Sequence, residues 1–241
     1  MIFRAEWHTL WDKMDMGKET ILFDINETVL NLSALKPTFA ETFCDEGALS
    51  LWFSLLLHSS TVCIATNVRT DFAELSGVML DSLAVRLGVS LTEEIRTELL
   101  SLFANLRPHS DIKPALNKLR LNGFRTVAFS NSSLILIKTQ IENAGLEAYF
   151  DDIISVEEMG SFKPDPNVYK FAADKLGESV GSLRLVATHD WDTHGALSVG
   201  FKAAYIDRTG VPYHPLYQRP DIYETSMESI VDQIIFKSSQ Q

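Results

Sequence analysis

The chain has 241 residues, 46% hydrophobic and 22% charged, with 21 Lys and Arg against 32 Asp and Glu. Ample apolar content with only 12 Gly and 8 Pro excludes disordered, collagenous and repeat architectures, and leaves room for one large core plus a smaller subdomain. A formal charge of −11 without any Lys/Arg run argues against nucleic acid as a partner, so an anionic substrate must depend on local cations.

Residues 1–17 are polar, Met-rich and aperiodic, an N-terminal extension in which Met14 or Met16 is an alternative start. Charges stand there where a signal peptide needs an apolar segment, and the uninterrupted apolar runs elsewhere are too short to cross a bilayer. A cytoplasmic protein with no membrane partner is expected. Cys44 and Cys63 are too few for a disulfide scaffold, lack metal-ligand spacing, and are expected to be reduced packing residues.

The run Ile21 to Ile25 predicts a buried parallel strand. From Leu30 to Arg107 the pattern is helical: 48–57 is apolar, 71–87 amphipathic, and Ile95, Leu99, Leu102, Phe103 and Leu106 share one helix face. Ser90 with Glu93 predicts a capping box for that last helix, and Pro108 ends it. From residue 111 strands and helices alternate. Asp111 opens a helix closed by Gly123, and Phe124–Phe129 is a strand. Helix 133–144, strand 152–157, a helix from Pro166 to Leu176, strand 183–187, helix 193–199, strand 202–206 and helix 226–236 follow. Repeated strand–helix units require a parallel sheet flanked by helices. The expected fold is therefore α/β: a Rossmann-like parallel-sheet core over 18–30 and 108–241, with an inserted helical cap subdomain over 31–107.

In such sheets ligands bind beyond the carboxyl ends of the strands. Asp24, Asn26, Glu27 and Thr28 follow the first strand, Ser130, Asn131 and Ser132 the second, Lys163 the third, and Thr188, His189, Asp190 and Asp192 the fourth, so they should meet in one crevice. Asp24 is the strongest candidate, because an ionisable group ending an apolar strand is costly without a partner and carboxylates serve as covalent nucleophiles; a helix-capping role is the alternative. Lys163 would hold it ionised, with an attraction of up to about 4 kcal/mol for charges about 4 Å apart at an effective dielectric of about 20. His8, His58, His109 and His214 show no mutual spacing for a metal, and His194 is expected to face solvent.

Phe23-Asp24-Ile25-Asn26-Glu27-Thr28, Ser130-Asn131-Ser132, Lys163-Pro164-Asp165-Pro166 and Trp191-Asp192-Thr193-His194-Gly195-Ala196, in this order around a helical insertion, resemble the haloacid dehalogenase superfamily and more closely its type II, or L-2-haloacid, dehalogenases. Tyr169, six residues after Lys163, matches the position of an active-site Tyr in those enzymes. The superfamily's phosphatases need an acid/base Asp two residues after the nucleophile and carboxylates for Mg²⁺. Here those positions hold Asn26 and Thr188, whereas carbon–halogen displacement needs neither.

The resemblance implies a cofactor-independent, metal-free reaction on short 2-haloalkanoates. Asp24 attacks C2 with inversion to form an ester, and water then releases the 2-hydroxy acid. Thr28 and Lys163 would position and ionise Asp24. Ser130 and Asn131 would take the substrate carboxylate at a helix N-terminus, and Asn26, Tyr169, Phe53 and Trp191 would complete the pocket, although Trp191 could simply pack beneath it. Homodimers are common in the family.

Three departures stand out. Phe53 occupies the place of a halide-binding cap Arg, so halide would rest on Asn131, Trp191 or aromatic edges; Glu27 replaces a Gly and His189 an Asn. The last two loops are expected to be neighbours, and a Glu27–His189 couple would activate water, with Asp192 in support; the alternative is Asp192 as base with His189 capping its helix. A related phosphatase, a fluoroacid specialist and a non-catalytic binding module are the other readings of the chain.

Overall fold

Short apolar runs closed by polar residues build one parallel sheet: β1 (Thr20–Phe23), β2 (Thr126–Ser130), β3 (Asp152–Ser155), β4 (Leu183–Ala187), β5 (Lys202–Ile206) and β6 (Ile222–Glu224). Their order across the sheet is β3-β2-β1-β4-β5-β6. The computed structural model describes residues 18–240, and the expected N-terminal extension over 1–17 lies outside the described residues. β1, β2 and β4 are buried along their whole length, which is why their sequences run apolar instead of alternating. The chain winds from β1 outward to β3, then returns to β4 on the other side of β1. That reversal puts the crevice of the sheet at the carboxyl ends of β1 and β4.

Between β1 and β2 lie α1 (Lys36–Phe43), α2 (Ala48–Thr66), α3 (Phe72–Leu87) and α4 (Glu93–Leu102). The two ends of this segment are tied together: Leu30 bridges to Pro108, Asn31 N donates to Arg107 O at 2.8 Å, and His109 N to Val29 O at 3.0 Å. Trp52 anchors the helices, donating from Nε1 to Ser76 O at 3.0 Å while packing against Phe39 and Phe103. The buried apolar side chains of these helices and of the sheet form one continuous cluster.

The remaining helices are α5 (Ile112–Leu121), α6 (Leu134–Asn143), α7 (Pro166–Leu176), α8 (Asp190–Ser198) and α9 (Met227–Ser238). At the amino end of the sheet, far from the crevice, the buried Arg184 guanidinium pairs with Glu19 at 2.7 Å and with Asp221 at 2.6 Å.

Several local expectations need correction. α4 is capped by Thr92, whose Oγ1 accepts from Ile95 N, rather than by Ser90, and its face ends in a 3-10 turn over Phe103–Asn105. Asp111 makes no cap bond to α5; its carboxylate instead holds Arg208 and accepts from Met227 N. α8 starts at Asp190, three residues before the expected position, and β6 has no counterpart in the expected order of elements. α2 is long and apolar enough to span a bilayer, contrary to the expectation from uninterrupted runs. Ser and His residues break its sequence into short runs, but the 19-residue helix carries no Asp, Glu, Lys or Arg. Here its Leu49, Trp52, Phe53 and Leu56 are buried.

Candidate active site

β1 delivers Asp24 to the crevice, where its backbone N donates to Val186 O of β4 at 3.0 Å. The chain then folds into a tight turn, with Val29 N and Leu30 N both donating to Ile25 O. At the apex Glu27 takes a left-handed backbone, φ +65°, a conformation that costs a non-glycine residue roughly 1–2 kcal/mol. The same turn swings Thr28 back, so that its Oγ1 donates to Asp24 Oδ2 at 2.7 Å while accepting from Thr188 N at 2.9 Å.

Lys163 comes from the loop before α7 and is 1% exposed. Asn131 Oδ1 fixes that loop by accepting from Lys163 N at 2.8 Å. Nζ then donates to Asp24 Oδ1 at 2.9 Å, to Asp192 Oδ2 at 2.6 Å and to Phe129 O at 3.3 Å. Burial alone would favour a neutral Lys163, but the two carboxylates outweigh it and raise its pKa. For Asp24 burial likewise opposes the charge, and the Lys163 ammonium and the His189 imidazole overcome it, holding the carboxyl well below the usual range. Asp192 is pushed the other way, up, by burial and by the like charge of Asp24 against the pull of Lys163. The triad therefore assigns the stable anion to Asp24.

His189 precedes α8 and lies against Asp24 and Glu27. Nε2 meets Glu27 Oε2 at 2.8 Å, while Nδ1 stands 3.3 Å from Asp24 Oδ2 and has no aligned hydrogen-bond partner. Burial disfavours an imidazolium, yet the two carboxylates push its pKa up to about 10. The ring stacks on Trp191 with centroids 5.0 Å apart and faces Phe53 at 6.2 Å. The pairing of β1 with β4 is what brings Glu27 and His189 together across 162 positions of sequence.

Other expected residues are placed differently. Asn26 turns away from the nucleophile: Nδ2 donates to Ser132 Oγ at 3.1 Å and Oδ1 accepts from Gln140 Nε2 at 3.2 Å. Tyr169, expected to line the pocket, is fully buried and gives its OH to Asp192 Oδ1 at 2.7 Å, so it orients Asp192 instead. Ser130 Oγ accepts from Ser132 N at 3.2 Å, bracing the turn into α6. Sequence reasoning missed Gln140 and Arg208; the latter pairs with Asp111 and donates from Nη2 to Thr28 O at 3.2 Å. Gln140 lies within α6 outside any motif, so no local signal marks it, whereas Arg208 follows the carboxyl end of β5 by two residues, and that position is the signal that could have found it.

Family members that use Mg²⁺ need free carboxylate oxygens at this point. Here Lys163 occupies Asp24 Oδ1 and one Asp192 oxygen, Tyr169 takes the other Asp192 oxygen, and Thr28 with His189 covers Asp24 Oδ2. These residues do not fit a divalent cation, because two protein cations already neutralise the carboxylates that would ligate it.

Comparison with known proteins adds a lineage. A model of the haloacid dehalogenase-like hydrolases matches residues 18–184. An (S)-2-haloacid dehalogenase of Pseudomonas sp. (strain YL) is 28% identical over 214 residues, covering 88% of this chain and 92% of that one. Haloacetate dehalogenase H-2 of Moraxella sp. (strain B) is 26% identical over 88% of this chain and 96% of its own. The solved L-2-haloacid dehalogenase of Xanthobacter autotrophicus with chloropropionic acid covalently bound superposes with a TM-score of 0.84 at 19% identity, covering 90% of this chain and 98% of that one, a likeness of fold. With the family model matched over more than half its length, the chain belongs to the haloacid dehalogenase-like hydrolases.

Proposed function

We propose that the protein hydrolyses short (S)-2-haloalkanoic acids to 2-hydroxy acids and halide through an ester on Asp24, without a metal or organic cofactor. The observation that carries this reading is the state of Asp24: a buried carboxylate kept ionised by Lys163 and His189 and aimed by Thr28. Stripped of water yet anionic, it is a strong nucleophile toward carbon. The relatives named (S)-2-haloacid and haloacetate dehalogenases support the choice of substrate. The engagement of the Asp24 and Asp192 oxygens by Lys163, Thr28, His189 and Tyr169 and the diversion of Asn26 to Ser132 and Gln140 weigh against metal-dependent phosphate-ester chemistry.

In the first step an Asp24 oxygen attacks C2 from the face opposite the halogen, the C–O bond forms and the halide leaves with the C–X electron pair. Backbone N–H groups around Ser130 and Asn131, before the N-terminus of α6, would hold the substrate carboxylate. Phe53 cannot supply the charge that an Arg would bring to the departing halide, but the His189 imidazolium beside its ring can.

The raised pKa of His189 has a consequence for the second step. In the resting enzyme the ring is already protonated near neutral pH and cannot act as a base. Esterification removes the negative charge of Asp24, one of the two carboxylates that hold the proton, so the pKa of His189 falls and the ring deprotonates. Neutral Nδ1 then takes a proton from water as the water attacks the Asp24 carbonyl, while Glu27 stabilises the returning imidazolium. Asp24 and His189 end as they began, and the net yield is hydroxy acid, halide and one proton. Asp192 is less suited to this task, being fully buried with its oxygens engaged by Lys163 and Tyr169.

Halide release from each enantiomer of 2-bromopropionate, with EDTA present, tests the reading. Release from the (S) enantiomer, lost in Asp24→Asn, is expected. Release that requires Mg²⁺, or that survives in Asp24→Asn, would contradict it.

A further inference from the structure

A cavity of about 580 Å³ opens on one flank of the reaction centre. Glu27, Phe53, Thr188 and His189 line it, whereas Asp24, Ser130, Asn131 and Lys163 do not. Its outer walls are Ser50 and Ser54 of α2 on one side and the 209–212 loop on the other. It thus touches the residues proposed to activate water and avoids those proposed to hold the substrate carboxylate.

The walls are also unusually rich in unsatisfied polar atoms. Among the described residues, four buried side-chain N or O atoms have no hydrogen-bond partner, and three of them belong to residues lining this cavity: Thr188 Oγ1, His189 Nδ1 and Arg208 Nε. Thr188, a residue of the cavity wall, is 8% exposed, and its Oγ1 is buried without a partner. An unpaired buried polar atom costs about 1–3 kcal/mol, so each of these groups gains from a water molecule that reaches it. Thr188 and His189 are neighbours in the chain and both line the cavity, and His189 Nδ1 stands 3.3 Å from the Asp24 carboxylate.

We propose that this cavity is a dedicated water route, by which hydrolytic water passes Thr188 and reaches Nδ1 of His189 without crossing the space filled by the ester. The proposal rests on the aspartyl-ester reading above. It accounts for a requirement of two-step chemistry: water must be kept from the nucleophile during displacement, then supplied from a side that the bound alkanoate does not block. In the resting state the Glu27–His189 pair closes the inner end of the cavity, because the imidazolium is bound to Glu27 and adjacent to Asp24.

The test is to plug the route at exposed positions of the cavity wall that the reaction scheme does not use, with Ser54→Phe on α2 and, independently, Val211→Phe on the 209–212 loop; Ser54→Ala is the control. Rapid-quench halide release and intact-protein mass are followed with (S)-2-bromopropionate. The expected result is an unchanged pre-steady-state halide burst, a steady-state rate lowered by about tenfold or more, and accumulation of protein bearing the ester mass, with wild-type behaviour in Ser54→Ala. A burst slowed together with turnover would make the cavity the substrate's path and overturn the proposal, as would unchanged kinetics in both Phe variants. Absence of halide release from the wild type would instead refute the displacement reading itself, so the two failures are distinguishable.

Discussion

Lys163→Met removes the cation that makes two buried carboxylates tolerable while keeping most of the side-chain volume. At the observed separations of 2.9 Å to Asp24 and 2.6 Å to Asp192, and an effective dielectric of about 20, each pair is worth about 6 kcal/mol before desolvation is subtracted. The gain of the intact pair over a hydrophobic replacement is much smaller, but stripping one partner from a buried ion pair costs about 3–5 kcal/mol because the other charge is stranded. The expected loss of unfolding free energy at pH 7 is in that range, measured by urea titration with activity followed in parallel. The loss should shrink as pH falls toward 4: a carboxylate whose folded pKa is raised is penalised above that pKa, and the penalty disappears once it is protonated in both states. Lys163→Met/Asp192→Asn should regain about 2 kcal/mol or more, since Asn still accepts from Tyr169 and only one carboxylate then stays buried. Halide release should remain lost in both variants, because burial would then favour a protonated Asp24. A single variant within about 1 kcal/mol of wild type, or a double variant no more stable than the single one, would refute the assignment of Lys163 as the charge that sustains the site.

His189→Asn should still release halide, more slowly because the charge beside the departing halide is gone, yet stop after one turnover, leaving the ester mass on the protein; rapid turnover without an adduct would show that Asp192 or another group activates water. Glu27→Gln should lower the His189 pKa from its value of about 10, read by NMR titration of the imidazole, because one of the two carboxylates that hold the proton is gone. The same raised pKa fixes a sign in the wild type. The contribution of His189 to stability is fully present below its ordinary pKa of 6.5, and falls away as pH rises through about 10. Urea titrations between pH 7 and 11 should show that decline in the wild type and a shift of it to lower pH in Glu27→Gln; identical profiles would contradict the pairing.

Much of this architecture is legible in the sequence because buried parallel strands are short, apolar and closed by polar residues. β4, β5 and the helix from Pro166 to Leu176 fall where the pattern puts them. β6 escapes because it is a three-residue edge strand with Tyr223 partly exposed, which carries neither a run nor an alternation. The early start of α8 escapes because Asp190 and Asp192 suggest a loop, whereas Asp190 accepts from Trp191 N and His214 N. The meeting of Glu27 with His189 follows from the placement of both loops at the ends of adjacent strands, so a topology inference finds a side-chain pair. Motif position was a poorer guide to contact. Asn26 and Tyr169 stand at expected places in the chain, yet their polar atoms serve Ser132, Gln140 and Asp192, because hydrogen bonding inside a packed core is decided by rotamers that spacing does not encode. The left-handed backbone at Glu27 is equally invisible in composition, although a Glu at a glycine-like position is its trace.

The central claim is that the oxygen delivered to the substrate comes from Asp24 and not from water. A single turnover of (S)-2-bromopropionate with enzyme in excess, run in ¹⁸O-water, tests it most directly. The ester route predicts unlabelled 2-hydroxypropionate and one ¹⁸O in the peptide that contains Asp24, since water attacks the Asp24 carbonyl and the acyl C–O bond breaks. Label in the hydroxy acid with none on Asp24 would mean that water attacks C2 itself, and the nucleophile proposed here would be wrong.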